Sequence, residues 1–339
     1  MPGRLLIVSV MLVAVGARAE GTWDAHFGIE TGLDSNPGRN YALPQQAAPM
    51  ASALGGLRGR WHQGGLTLFG TYDAGARLFP TQPWESTLAQ VADTEVGVRL
   101  HREVQLVAGL GAKDRRGQRE YSDLHGRAGV RWSPDAQLEV TLLGRFEGFW
   151  FRPNPNLDFF APGASIEVRY RFDRHHQLAL FGEGAERAHR GLAREADLTA
   201  PLRERFDTVM LAGAHYTYRG GFIASVGYDV LSLQSNSFGE SMLRHRGTAR
   251  FGVPLFWELT LFGHLALQLA QYPDGVYASP ELFLLDDAEN QNALTLELTR
   301  PLTDHLELAL RYAFFENRLG GNHLHYLRQV GTLGITWRR

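Results

Sequence analysis

The sequence predicts an all-β chain that folds into a transmembrane up-and-down antiparallel β-barrel of about 16 strands. Three observations lead to this fold class. Apolar and polar residues alternate along most of the chain, turn-forming residues divide it into segments, and short and long links between those segments follow each other in turn. Because successive side chains of a strand point to opposite faces, such alternation indicates strands with one apolar and one polar face.

The segment over residues 66–78 shows the pattern clearly. Leucine, tyrosine, alanine and glycine fill its even positions, whereas threonine, aspartate and arginine fill most of its odd positions. The same division recurs in residues 138–151, 257–271 and 306–315. In chain order, the predicted strands span residues 22–33, 50–62, 65–78, 86–101, 104–114, 119–133, 136–151, 158–172, 176–188, 204–219, 221–234, 241–254, 257–272, 290–301, 305–317 and 323–338.

The links between the predicted strands differ in length in a regular way. Short links, such as 63–64 and 303–304, alternate with longer links, such as 34–50, 190–203 and 274–289. This arrangement is typical of a meander whose turns lie at one end of a barrel and whose loops lie at the other end.

The N-terminus has the pattern of a secretory signal peptide. Arg4 supplies positive charge, residues 5–15 are apolar, and Ala17-Arg18-Ala19 is a small-x-small cleavage sequence. The apolar run is shorter than the roughly 20 residues that a membrane-spanning helix needs. We therefore predict a signal peptide over residues 1–19 and a barrel domain over residues 20–339.

Composition narrows the possibilities further. The 339 residues include no cysteine, so no disulfide framework is available, and the net charge of −2 gives no general attraction to nucleic acid. An open sheet with one continuous apolar face would leave its edges unpaired and that face uncovered. Closure removes the edges, and lipid covers the apolar face. These points favour a barrel in the outer membrane of a Gram-negative bacterium, in contact with outer-membrane lipid, over a soluble β-sandwich.

The polar face of the predicted strands would line the inside of the barrel. Barrels of roughly 16–18 strands are wide enough for an aqueous channel. The candidate pore-lining residues are Asp73, Arg77, Glu95, Arg99, Arg127, Arg131, Glu139, Arg145, Glu147, Glu167, Arg169, Arg171, Glu183, Arg187, Asp229, Arg246, Arg250, Glu258, Glu297, Glu307 and Arg311.

Two kinds of inward side chain suggest a solute. Arginines recur along predicted strands 6, 8 and 12, where they could hold anions by bidentate hydrogen bonds. The alternative is that these charges pair with carboxylates and only stabilise the wall. Inward aromatic residues could give sugar rings a surface or could be local packing; they are Phe69, Phe149, Phe181, Phe262 and Phe315.

No sequence pattern predicts catalysis. The chain contains no HExxH, GxSxG or phosphate-binding loop. Two histidine pairs, His175-His176 in a predicted turn and His323 with His325 in the last segment, could bind a metal, although such pairs are more often exposed to solvent. We expect no catalytic residue, no metal and no cofactor, and a chain that is not an enzyme.

Two short stretches resemble known families. The last segment, residues 329–339, resembles the C-terminal β-signal of Gram-negative outer-membrane proteins, because Leu333, Ile335 and Trp337 alternate up to an aromatic residue; here two arginines follow it. This resemblance implies insertion by the barrel assembly machinery. The Asp-Ser-Asn sequence at 34–36 is similar to a motif of barrels associated with exopolysaccharide export and with surface-lipoprotein assembly. It implies a periplasmic polysaccharide export protein as a candidate partner.

The leading hypothesis is an outer-membrane pore that translocates a hydrophilic substrate, a secreted polysaccharide. The third long-side link, residues 115–118, is too short to fold into the channel as a constriction, which favours passage of a bulky polymer. Two alternatives stay open at this point. One is a general diffusion porin, and the other is a non-conducting barrel that serves as a surface-binding or assembly scaffold.

Overall fold

The computed structural model describes residues 20–39, 46–117, 120–197, 199, 201–274, 292–319 and 324–339. The predicted signal peptide lies outside these residues. The strands are β1 (Glu20–Asp34), β2 (Ala48–Gln63), β3 (Leu66–Leu78), β4 (Thr87–His101), β5 (Val104–Gly117), β6 (Tyr121–Trp132), β7 (Leu138–Phe151), β8 (Phe159–Arg171), β9 (His176–Leu192), β10 (Glu204–Arg219), β11 (Ile223–Ser235), β12 (Met242–Pro254), β13 (Thr260–Gln271), β14 (Asn292–Pro301), β15 (Leu306–Leu319) and β16 (Leu324–Arg338). Within the described residues, no helix is long and apolar enough to cross a membrane.

The strands form one closed antiparallel barrel. Each strand pairs with its neighbours in sequence, and β1 closes the sheet by pairing with β16, so that His26 lies opposite Arg338 and Asp34 opposite Val330. The predicted up-and-down barrel is therefore confirmed. The largest difference in a strand boundary is at the end of β9, predicted at residue 188 and found at Leu192. There Leu192 still pairs with Glu204 of β10 across a register shift, although the polarity of residues 189–191 indicated a loop.

The barrel has two different ends. The links after even-numbered strands are tight turns, and β1 begins and β16 ends beside them; we call this the short-turn end. The links after odd-numbered strands lie at the opposite end, which we call the loop end. Two of these links contain a single-turn 3-10 helix, Pro83–Glu85 after β3 and Pro155–Leu157 after β7. Most of the predicted loop 274–289 lies outside the described residues.

Ion pairs that cross a strand identify the inner face of the sheet. Arg311 of β15 lies 3.2 Å from Glu30 of β1, with β16 between them. Neighbouring strands are about 4.8 Å apart, so this contact spans two spacings, and side chains converge in this way only on the concave side. The opposite face carries exposed leucines, for example Leu57, Leu142 and Leu310, each more than half exposed.

The outer surface is that of a membrane protein. Exposed leucine, isoleucine, valine and phenylalanine side chains occur on the outward face of strands all around the barrel. Exposed aromatic residues, among them Trp23, Trp132, Tyr170 and Trp337, lie near the short-turn end. A closed barrel with an encircling apolar band and an aromatic rim is stable in lipid, since its backbone is satisfied internally. The fold and its surface therefore place the chain in the outer membrane.

Three outward tyrosines lie in the middle of strands. Each hydroxyl bonds a polar side chain of the next strand; the pairs are Tyr72 with Gln90 (3.0 Å), Tyr228 with His245 (2.7 Å) and Tyr312 with Gln329 (3.2 Å). An unpaired polar group in hydrocarbon costs several kcal/mol, on the order of the transfer penalty of an amide or hydroxyl. These pairs therefore let polar residues occupy the outer surface.

One sector of the interior is packed with apolar side chains. Ala48 and Met50 of β2, Phe79 after β3, Ala313 of β15 and Val330 of β16 form a buried cluster near the loop end, and a phenylalanine of β15 packs against it. All face inward by the strand register. The interior is thus polar along much of the wall and apolar in this sector.

Candidate functional site

The predicted pore-lining residues lie on the inward face of strands, with one exception. Glu258 belongs to the turn between β12 and β13, where Trp257 and Glu258 have φ angles of 59° and 61°. Two successive residues with positive φ form the type I′ turn of a tight hairpin. The prediction that Glu258 lies on a strand is wrong, because the aromatic residues before it resemble the start of a strand. That the other residues line an open pore stays a prediction.

A dense charge cluster joins β4 to β6. Arg127 of β6 donates hydrogen bonds to both carboxylate oxygens of Asp93 (3.0 and 3.2 Å) and to Glu95 (3.2 Å), and Arg131 donates to Glu95 (3.1 Å). Both acidic residues belong to β4, so these guanidinium groups reach across β5. The predicted arginine ladder of β6 is therefore neutralised by carboxylates.

Glycines on β5 make this crossing possible. A Cβ atom on Gly109 would lie 2.9 Å from Nε of Arg127, and one on Gly111 would lie 2.2 Å from Nε2 of His125. Both distances are shorter than a Cβ contact allows, so any side chain at either position would displace the bridging groups. The two inward glycines leave free space above β5, and charged side chains of β4 and β6 meet in that space. We call Gly109 and Gly111 the glycine saddle.

Most other predicted charges also have partners on the inward face. The further pairs are Arg145 with Glu183, Arg169 with Glu139 and Glu167, Arg187 with Glu147, Arg311 with Glu30 and Glu297, Glu307 with Arg338, Asp73 with His26, and Asp229 with Arg244. These side chains are mostly half-buried. Their pairing neutralises the second predicted ladder at Arg169, and it stabilises the wall as well as lining it.

A few inward arginines have no carboxylate partner. Within the described part of the chain, no ion pair is formed by Arg77, Arg99, Arg171, Arg246 or Arg250. The Nε atoms of Arg77 and Arg246 are buried without a hydrogen-bond partner. Of the three predicted ladders, only the one on β12 keeps two unpaired guanidinium groups.

Aromatic rings occupy part of the inward face near the loop end. Phe149 of β7 stacks on Phe159 of β8 with ring centroids 5.2 Å apart, and Tyr121 of β6 lies 5.5 Å from Phe149. The guanidinium group of Arg187 covers the Phe159 ring at 4.7 Å. Of the five predicted inward aromatics, Phe315 instead packs beside the apolar cluster of the interior.

The Asp-Ser-Asn sequence closes the barrel. Asp34, at the end of β1, is fully buried and accepts hydrogen bonds from Nε of Arg328 on β16 at 3.0 Å to each oxygen. The same guanidinium group lies 5.5 Å from the Phe315 ring centroid. A carboxylate and a guanidinium group, both almost completely removed from water, therefore hold the first strand to the last.

The next two residues extend this attachment. The backbone amide of Ser35 donates to the Gln329 carbonyl (2.9 Å), and the Ser35 hydroxyl accepts from the Gln329 amide (2.8 Å). The side-chain amide of Asn36 donates to the Leu327 carbonyl (3.4 Å). We call Asp34, Ser35, Asn36 and Arg328 the closure latch. The sequence indicated only the start of a loop here.

A second buried network at the loop end was not foreseen. Asp207 of β10 accepts hydrogen bonds from Arg205 (2.8 and 3.2 Å) and Ser235 (2.6 Å), and it lies 2.9 Å from Nε2 of His189. Serine and histidine both contact the carboxylate and not each other, so the arrangement lacks the nucleophile–base contact of a hydrolase. No periodic signal marks these residues, because they lie at strand ends where alternation fades.

Of the paired histidines, His175 ends the turn after β8 and His176 is the first residue of β9. Nδ1 of His175 contacts the Arg219 carbonyl and Nδ1 of His176 contacts the Tyr216 hydroxyl, so both rings face β10. Hydrogen bonds from the His175 amide (2.7 Å) and the His176 amide (2.9 Å) hold the pKa of the exposed Asp173 carboxyl below its usual range. The histidines therefore serve the geometry of this turn.

Comparison with protein-family models gives no match, and comparison with curated protein sequences gives none either. Solved structures do match. OpdQ of Pseudomonas aeruginosa has a TM-score of 0.50 and 9% identity, with 94% of this chain and 97% of that chain covered. A loop L8 deletion mutant of OmpT, an outer membrane protein of Vibrio cholerae, gives 0.49 and 10%, with 94% and 99% covered. A bacterial polysaccharide outer membrane secretin gives 0.48 and 7%, with 93% and 98% covered. At such identities the likeness concerns the fold alone.

Proposed function

We propose that the chain forms a pore that carries a hydrophilic solute across the outer membrane. The inward face of the closed barrel, with its half-buried charges, is the observation that supports this function most directly. Burial of an unpaired charge is costly, and Arg246, which is half-buried, has no carboxylate partner among the described residues, nor has Arg250, which faces the lumen. Water in the lumen would satisfy them, and a 16-stranded barrel is wide enough to hold it.

The proposed solute is a secreted polysaccharide. The stacked rings of Tyr121, Phe149 and Phe159 give an inward aromatic surface, against which the apolar faces of sugar rings can pack. The resemblance of the Asp-Ser-Asn sequence to barrels of exopolysaccharide export points to the same class of solute. The proposed partners are the barrel assembly machinery, which would insert the chain, and a periplasmic polysaccharide export protein. The proposed role is transport without catalysis and without a cofactor.

Planar-bilayer recording of the refolded full-length protein tests the pore. Stepwise conductance that falls when hydrophilic polymers enter the lumen is the expected result. A folded barrel that inserts but never conducts would reject both pore functions and leave the scaffold alternative.

The solute is tested in the source bacterium by deletion of the gene. Loss of surface polysaccharide with normal uptake of small solutes supports export. Normal polysaccharide with reduced small-solute uptake would instead support a general diffusion porin. Complementation with Phe149→Leu and Phe159→Leu, compared with the outward variant Phe146→Leu, tests whether the inward rings contribute to polysaccharide export.

A further inference from the structure

Strands β11 to β13 carry a positive patch on the inward face. On β12, Arg246 lies opposite Asp229 of β11 and Gln268 of β13, and Arg250 lies opposite His264 of β13. Arg246 and Arg250 share one face because four residues separate them on a strand. The strand register therefore places Arg246 beside Gln268 and Arg250 beside His264.

The polar atoms of this patch lack partners. Nε of Arg246, Nε2 of His264 and Oε1 of Gln268 are buried and make no hydrogen bond. Among the described residues, the carboxylate opposite Arg246 is Asp229, which lies 3.7 Å from the neighbouring Arg244 and whose Oδ1 is also buried without a hydrogen bond. Buried polar groups of native proteins are normally satisfied, so a group of unsatisfied atoms at one place indicates a missing ligand or water.

The arginines of this patch differ from the other inward arginines in their carboxylate contacts. Arg127 and Arg169 each contact two carboxylates, whereas Arg246 and Arg250 contact none within the described residues. Arg250 is exposed to the lumen and Arg246 is half-buried. Between them on the same face lies Thr248, opposite Ala266, so no bulky side chain separates the two arginines.

We propose that this patch is a two-point binding site for an extended solute that carries oxyanion groups, carboxylate or phosphate. One oxyanion is bound by Arg246 and by the side-chain NH2 group of Gln268, whose Oε1 is left for a water, and the next by Arg250 and a ring N–H of His264. Guanidinium groups bind both anions through paired hydrogen bonds. The two arginines are about 13 Å apart along the strand, so a chain with repeated charges fits better than a single small anion. This inference rests on the proposed pore function and specifies the charge of its solute.

Binding to the refolded full-length protein in detergent micelles tests the site without requiring conductance. The probes are a polygalacturonate oligomer for carboxylate, a polyphosphate for phosphate, and neutral dextran of similar length. The variant is Arg246→Gln with Arg250→Gln. The matched control is Arg169→Gln with Arg127→Gln, which removes the same charge from the same face at carboxylate-paired positions. Heat-modifiable gel migration verifies that each barrel is folded.

One or both anionic oligomers should bind to the original protein, and dextran should not. The β12 variant should bind at least about tenfold more weakly, whereas the control should keep its affinity. The relative affinities of the two oligomers identify the preferred anion. Equal losses in both variants would show a general charge effect and overturn the site, as would failure of both anionic oligomers to bind. Absence of conductance together with specific binding would reject the pore and keep the site.

Discussion

The closure latch should be essential to barrel stability, and the change Arg328→Met tests this. Methionine keeps much of the arginine volume but removes the charge that faces Asp34, which is 0% exposed. Loss of one partner of a buried pair leaves an uncompensated charge and costs about 3–5 kcal/mol. Loss of the cation–π contact with Phe315 adds about 1 kcal/mol or less. We expect a decrease in unfolding free energy of about 3–5 kcal/mol.

The assay is equilibrium urea unfolding in lipid vesicles, followed by tryptophan fluorescence and by heat-modifiable gel migration. The matched control is Arg338→Met, because Arg338 also pairs with a carboxylate, Glu307 at 2.9 Å, but its side chain is 62% exposed. An exposed pair contributes about 0–1 kcal/mol, so this variant should be nearly as stable as the original protein. The double variant Asp34→Leu with Arg328→Met should recover much of the lost stability, because it removes both charges. Equal stability of the two single variants, or a double variant no better than Arg328→Met, would refute the reasoning.

Three further outcomes are expected. Tyr228→Phe should destabilise the barrel by about 1–3 kcal/mol in the same assay, because it leaves His245 without its partner on the lipid face; unchanged stability would show that this hydrogen bond is dispensable. Gly111→Val should lower stability to urea, since its Cβ would lie 2.2 Å from the His125 ring and displace that ring from Asp93, whereas Ala112→Val on the outward face should not; equal stability would contradict the saddle. The lowered pKa of Asp173 stabilises its turn above the unfolded pKa, and that contribution is lost as the pH falls through the lowered folded value. Amide exchange of His175 and His176, corrected for intrinsic rates, should therefore accelerate at acidic pH and not in Asp173→Asn.

The fold was predictable because alternation is a local property that reports burial directly. Every strand of the barrel could be located from its period of two, and even the difference between short turns and long links is visible in the sequence. The errors lie where that signal fails. Glu258 follows an aromatic run that continues the pattern into a turn, and β9 continues to Leu192 through residues that look like a loop.

The candidate site was less predictable because its chemistry depends on pairing between strands. The sequence shows Arg127 and Arg246 as equivalent members of inward arginine series. Only the closed register shows that one meets two carboxylates across a glycine saddle while the other meets an amide. Likewise, the partner of Asp34 lies 294 residues away, at a distance that no local pattern reports.

The closure latch also sets the order in which the barrel can be completed. Its partners come from the first and the last strand, 294 residues apart, so the loop-closure cost of this contact is lowest once the intervening hairpins have formed. Arg328 is the guanidinium group that hydrogen-bonds to Asp34, and it arrives only with the last strand. The latch therefore acts as a checkpoint on completeness, because a chain that lacks its last strand leaves Asp34 without its guanidinium partner at the open edge.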